Sequence, residues 1–150
     1  MQIRRDDPTA PYVADLLDRH LRELRGAMSG HAFALDASGL SAASVTFWTA
    51  WDIETLLGFG ALKHLGSAHG EVKSMRAAPA ARGTGVGRAM LEHIIKEARQ
   101  RSYTRLSLET GTATLHAPAI SLYLSAGFAP CEAFAGYQPS PHNQFFRLAL

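Results

Sequence analysis

Three glycines at alternate positions, Gly83, Gly85 and Gly87, separate a short β-type run from an amphipathic helix. Glycines at a helix start weaken it, by roughly 1 kcal/mol each relative to alanine, so the backbone they expose has to serve something. The run before them, residues 71–77, alternates Val72, Ser74 and Arg76 against Lys73 and Met75, and Pro79 stops it. After them Val86, Met90, Ile94 and Ala98, with Leu91 and Ile95 beside them, fall at helical spacing. Arg88, Glu92, Lys96, Glu97 and Arg99 make the opposite face. Strand, turn and helix start together present unpaired N–H groups and the positive end of the helix dipole to one point in space. The guest that suits such a point is an anion, most simply a phosphate, and Arg82 and Arg88 add full charges on either side.

Two common phosphate motifs do not fit. A dinucleotide fingerprint, G-x-G-x-x-G, needs glycine where Arg88 stands after Gly83 and Gly85. A P-loop needs a lysine and a hydroxyl residue after its last glycine, and Gly87 is followed by Arg88 and Ala89.

The rest of the chain supplies a frame for the turn. With 150 residues, 47% hydrophobic and 19% charged, it reads as one domain, 1–150, able to bury about two thirds of its unfolded surface. A net charge of +2 argues against a general nucleic-acid binder. Cys131 is the one cysteine, so no internal disulfide forms, which suits a reducing cytoplasm. The charged start MQIRRDDP has no apolar run behind it, and no stretch reaches the roughly 18 apolar residues of a membrane span. A cytoplasmic protein with no membrane and no nucleic-acid partner is expected.

In chain order, residues 2–5 read as a strand. Val13, Leu16, Leu17, Leu21 and Leu24 mark a helix from Pro11 to about Gly26, with His20 packed on the same stripe. Residues 27–43 are the least legible, a loop around Met28–His31 and then a short helix within 35–40. Residues 45–50 and 56–65 form a hairpin that leads into the 71–77 strand as an antiparallel meander. Residues 105–110 are strongly β, and a strand–helix–strand unit of this length implies a parallel pair with a right-handed crossover. A short helix over 117–126, a strand over 128–135, a loop holding Pro139 and Pro141, and a closing strand over 144–150 complete the chain. The order β-α-α-β-β-β-α-β-α-β-β describes an α/β fold, a mixed and mostly antiparallel sheet with helices on both faces. Lys63 and Lys73, on adjacent strands, read as solvated strand-edge lysines, with attraction of an acidic acceptor as the alternative.

Arg82-x-x-Gly85-x-Gly87 resembles the R/Q-x-x-G-x-G/A signature of the GNAT N-acetyltransferase superfamily, where it follows a strand and opens a helix. Ala119-x-x-Leu122-Tyr123-x-x-x-Gly127-Phe128 resembles a second segment of that family, and the element order matches along essentially the whole chain. The resemblance implies a central pair of parallel strands that splay apart, and transfer of an acetyl group from acetyl-CoA to a small-molecule amine, without a metal. Homodimers are common in the family. By position, Met75, Arg76 and Ala77 would run along the pantetheine. Arg82, Gly83, Thr84, Gly85, Val86, Gly87 and Arg88 would cradle the pyrophosphate, and Ala119 and Tyr123 would also meet the cofactor. His116 stands where many relatives carry an asparagine that contacts the cofactor, a departure from the pattern in which the imidazole would have to take over that hydrogen bond.

Tyr123 occupies the position of the family's general acid, close to the thioester sulfur. Glu71, acting through a water, is the first choice of general base, and Glu109 at the end of the neighbouring strand is the second. His31 and His116 are further alternatives, and no base is needed if the site selects neutral amines. The stretch MSGHAFALD resembles an acceptor-side loop of small bacterial acetyltransferases, which makes His31 and Asp36 candidates for acceptor contact. Acetylation of a protein lysine or N-terminus, and a non-catalytic acyl-CoA sensor of the same fold, are the alternative functions.

Overall fold

The computed structural model describes residues 1–27 and 35–150. Strands β1 (Gln2–Arg5), β2 (Val45–Asp52), β3 (Thr55–Gly66), β4 (His69–Ala77), β5 (Arg105–Gly111), β6 (Ala129–Pro130) and β7 (Asn143–Ala149) form one sheet in the spatial order β1-β2-β3-β4-β5-β7-β6. The described helices are α1 (Pro11–Ala27), α2 (Ala37–Leu40), α3 (Val86–Gln100) and α4 (Ala117–Ser125). Neighbouring strands run antiparallel, except that β4 and β5 run parallel across the α3 crossover. The order of elements is the one the sequence predicts.

Alternation along the central strands makes two cores. Trp48, Ala50 and Leu62 share one with Met90, Leu91 and Ile94 of α3. Phe47, Phe59 and Ala61, their neighbours in sequence, share the other with Val13, Leu16, Leu17 and Leu21 of α1. The period of two puts consecutive residues on opposite faces, and each fully buried leucine or isoleucine contributes about 1.5–3 kcal/mol.

On β4 the simple alternation fails. Phe59 pairs with Arg76 and Ala61 with Lys73, so two steps along β3 are matched by three along β4. Ser74 absorbs the extra residue in a left-handed conformation, φ +52°. This is a β-bulge, which re-aims the residues beyond it. Directly opposed residues share a face, so Lys73 and Arg76 both lie on the α1 side, with Ala61 and Phe59. Val72, Met75 and Ala77 pack against the α3 core. Gly58 sits against this segment: a Cβ there would lie 2.4 Å from the Arg76 carbonyl oxygen. Gly58→Ala is expected to cost about 1–3 kcal/mol as the backbones are forced apart, read as a lower urea midpoint.

The strand expected over 128–135 shrinks to Ala129–Pro130. Phe134 instead folds back over the sheet, its ring centroid 5.8 Å from that of Phe145, and Tyr137 lies 5.9 Å from the same ring. Phe134 and Tyr137 are used for packing onto β7, and strand pairing stops at Pro130.

Candidate active site

β4 and β5 pair at His69↔Arg105, Gly70↔Leu106 and Glu71↔Ser107, and there the ladder ends. Both strands continue, β4 to Ala77 and β5 to Gly111. Beyond Glu71, β4 stays with β3 through the bulge while β5 stays with β7 as far as Gly111↔Asn143. The two strands therefore part, and a cleft of about 700 Å³ opens between them. Met75, Arg76 and Ala77 line one wall, and Glu109 the other. His20 and Leu24 of α1 also line it, as do His116, Ala119 and Tyr123.

The glycine-rich turn forms the end of the cleft, through Arg82, Gly83, Gly85, Val86, Gly87 and Arg88. Gly85 caps α3 in a left-handed conformation, φ +90°, with no side-chain cap. The bond from Ala89 N–H to the Gly85 carbonyl, 3.0 Å, starts the helical ladder. The amides of Val86, Gly87 and Arg88 precede it and have no intrahelical acceptor. A Cβ placed on Gly83 or Gly85 would meet nothing within 4 Å, so open space lies in front of these glycines. Donors, dipole and room together fit a pyrophosphate. Thr84 is not on the cleft surface; its hydroxyl donates back to the Ala81 carbonyl.

The two candidate bases differ sharply. Glu71 is 2% exposed and does not line the cleft. The Tyr137 hydroxyl donates to its Oε2 at 2.6 Å, and the Lys73 ammonium lies 3.5 Å from the same oxygen. Lys73 also donates to the Tyr137 hydroxyl at 2.6 Å. Lys73 is therefore a buried member of an ion-pair network on an interior strand, which corrects its reading as a solvated edge lysine. Glu109 faces the cleft, and its buried Oε2 has no hydrogen-bond partner among the described residues. Burial raises its carboxyl to a pKa of about 7 against the opposing charge of Lys73 and a hydrogen bond with the Asn143 side chain, and Glu71 adds to the rise.

Tyr123 lies on the cleft wall, and burial pushes its phenol up to about 12. The His116 imidazole fits beside Gly111, where a Cβ would come within 2.4 Å of its Nε2. Asp36 is exposed and caps α2, accepting from Gly39 N–H at 2.9 Å, and is not brought to the cleft. His31 lies outside the described residues. Sequence reasoning overlooked Tyr137, which sits in a loop where no periodicity marks it. It assigned His20 to the core, whereas His20 is buried and also lines the cleft.

Residues 5–128 match the family described as the Acetyltransferase (GNAT) family. The N-acetyltransferase YsnE of Bacillus subtilis (strain 168) is 43% identical over 153 residues, covering all of both chains. The N-acetyltransferase YedL of Escherichia coli (strain K12) is 44% identical over 149 residues, 99% of this chain and 94% of that one. A solved structure of the acyl-CoA N-acyltransferase class from Klebsiella pneumoniae is similar at a TM-score of 0.83 and 29% identity, covering 99% of this chain and 97% of the other. The chain belongs to the GNAT acetyltransferase family. Its activity is that of an acetyl-CoA-dependent acyltransferase.

Proposed function

We propose that the protein moves the acetyl group of acetyl-CoA to a primary amine of a small molecule, by direct attack in the cleft between β4 and β5. The observation that carries this reading is the parting of the parallel strands over the glycine-capped start of α3. Strand backbone along the cleft and an anion cradle at its end suit a slender, amide-bearing molecule with a pyrophosphate. Acetyl-CoA supplies the activated acetyl group, and His116 replaces the family asparagine as a hydrogen-bonding partner of its pantetheine arm.

An ammonium, with a pKa of about 10 for a lysine-like amine, has no lone pair, so the acceptor must lose a proton before or during attack. We assign that proton to Glu109. Its carboxylate is on the cleft wall with a free oxygen, whereas the Glu71 carboxylate is engaged by Tyr137 and Lys73 and serves to hold Lys73 opposite Glu109. A backbone N–H beside Met75 stabilises the tetrahedral oxyanion. As the carbon–sulfur bond breaks, Tyr123 donates a hydrogen bond to the departing sulfur. A phenol near 12 keeps its proton at working pH, so it acts as a donor throughout.

Thiol release from acetyl-CoA, measured across a panel of amines, tests the reading. Tyr123→Phe is expected to lower kcat by about 10²-fold and to leave acetyl-CoA affinity within about twofold, as for a group that acts mainly on the transition state. Binding of acetyl-CoA without thiol release from any amine would favour the sensor alternative.

A further inference from the structure

Three buried polar side chains on the cleft have hydrogen-bonding capacity that no described residue takes up. His20 is 5% exposed and both its ring nitrogens are unpartnered. His116 is 7% exposed with an unpartnered Nε2, and the Arg76 side chain is 10% exposed with an unpartnered Nε. The three are near enough to act on one another: burial, then Arg76, then His116 push the His20 imidazole down to about 3, and burial and Arg76 lower His116. Both imidazoles are neutral, each with one N–H to give. Buried polar groups are rarely left unpaired in folded proteins, so three around one cavity imply a polar ligand, with acceptors for Arg76 Nε–H and for the imidazole N–H.

Their position says which ligand. The bulge at Ser74 turns Arg76 to the α1 side of the sheet, away from α3. One Nη of Arg76 is taken by Glu23, which also pairs with Arg82 at 3.7 Å. One carboxylate shared by two guanidiniums, with the charge of Arg19 also acting on Arg76, leaves the site net positive. Arg76 Nε–H and an imidazole N–H are two donors in a net-positive site, and an anionic group with two oxygens suits both. That group is a carboxylate.

Resting on the acetyl-transfer reading above, we propose that the acceptor is an amine that also carries a carboxylate, seated on Arg76 and His20 while its amine faces Glu109. Arg76, His20 and Glu109 line the same cleft, so an acceptor that spans them has its carboxylate at one end and its amine at the other, as an ω-amino acid does.

Two measurements test this separately from the acetyl-transfer reading. In the complex with CoA, the His20 imidazole resonances are followed by NMR during titration with straight-chain carboxylates from acetate to hexanoate, and with the matching carboxamides. Carboxylates should shift His20 and carboxamides should not, and Arg76→Gln should weaken the carboxylate response at least tenfold. In turnover, ω-amino acids from glycine to 6-aminohexanoate should exceed their carboxamides in kcat/KM by at least tenfold. Arg76→Gln should collapse that ratio by raising KM for the acids by more than it weakens CoA. If Arg76→Gln does not fold, Arg76→Lys keeps a charge for Glu23 yet lacks the Nε–H, and the same loss is expected. Equal responses to carboxylates and carboxamides overturn the proposal, as does loss of CoA affinity in the Arg76 variants, which would assign the subsite to the cosubstrate. A His20 response to carboxylates without turnover of any amine would keep the subsite and refute acetyl transfer.

Discussion

Gly85→Glu is expected to abolish acetyl-CoA binding in a protein that still folds. A micromolar wild-type complex corresponds to about −8 kcal/mol, and the substitution should weaken it more than 100-fold. Two effects combine. Gly85 holds φ +90°, where an L-residue costs about 1–2 kcal/mol, so the turn that aims the amides is strained. The new carboxylate also lies at the positive end of α3, where it occupies the anion's place and repels the pyrophosphate. No packing is lost, because a Cβ at this position meets nothing within 4 Å, and the carboxylate's interaction with the helix dipole offsets part of the strain. A melting temperature within several degrees of wild type, with no calorimetric signal for acetyl-CoA, is the expected pair of results. Affinity retained within fivefold would mean that the pyrophosphate binds elsewhere.

Glu109→Gln is expected to lower kcat by about 10²–10⁴-fold and to remove the acidic limb of the pH profile. In the wild type, kcat/KM should climb as pH rises through about 7, because Glu109 must lose its proton to accept one. The same group affects stability with a definite sign. Burial raises its pKa from an ordinary value of 4.5 to about 7, so the folded state holds the proton more tightly than the unfolded state. The stability this gives is present below pH 4.5 and is lost as pH rises towards 7. Glutamine carries no such loss, so the variant should melt higher than wild type at pH 8. Lower activity with higher stability is the signature of a carboxylate kept for chemistry. An unchanged kcat would return the role to Glu71 or to selection of neutral amines.

Much of the fold was legible because periodicity marks whichever side of an element is buried. Met90, Ile94 and Ala98 on α3, and the alternation of Leu106 and Leu108 on β5, needed only periods of 3.6 and 2. The parallel pair followed from the length of the crossover, and the anion cradle from glycines where a helix start prefers a capping side chain. The bulge was hidden, because Ser74 takes a left-handed conformation that glycine would have announced. That one displaced residue moves Arg76 from the Val72 face, where simple alternation puts it, to the face of Lys73. Lys73 was misjudged because its partners Glu71 and Tyr137 are not visible in the local pattern. Tyr137 reaches Glu71 across 66 positions of sequence, a contact that no local pattern encodes. The choice between Glu71 and Glu109 depended on which neighbours engage each carboxylate, and those neighbours come from other parts of the chain.

The parted strands also bear on how this sheet avoids unwanted company. An unpaired strand edge normally recruits a strand from another chain, and outer edges are blunted to prevent it. Here β4 beyond Glu71 and β5 beyond Ser107 are edges turned inward, each backed by its own neighbour, β3 or β7. A polypeptide strand entering between them would have to fit side chains against the walls on both faces. A ligand with amides and no side chains meets no such obstacle. The protein can therefore keep a docking edge open inside its sheet, backed on each side by a paired strand.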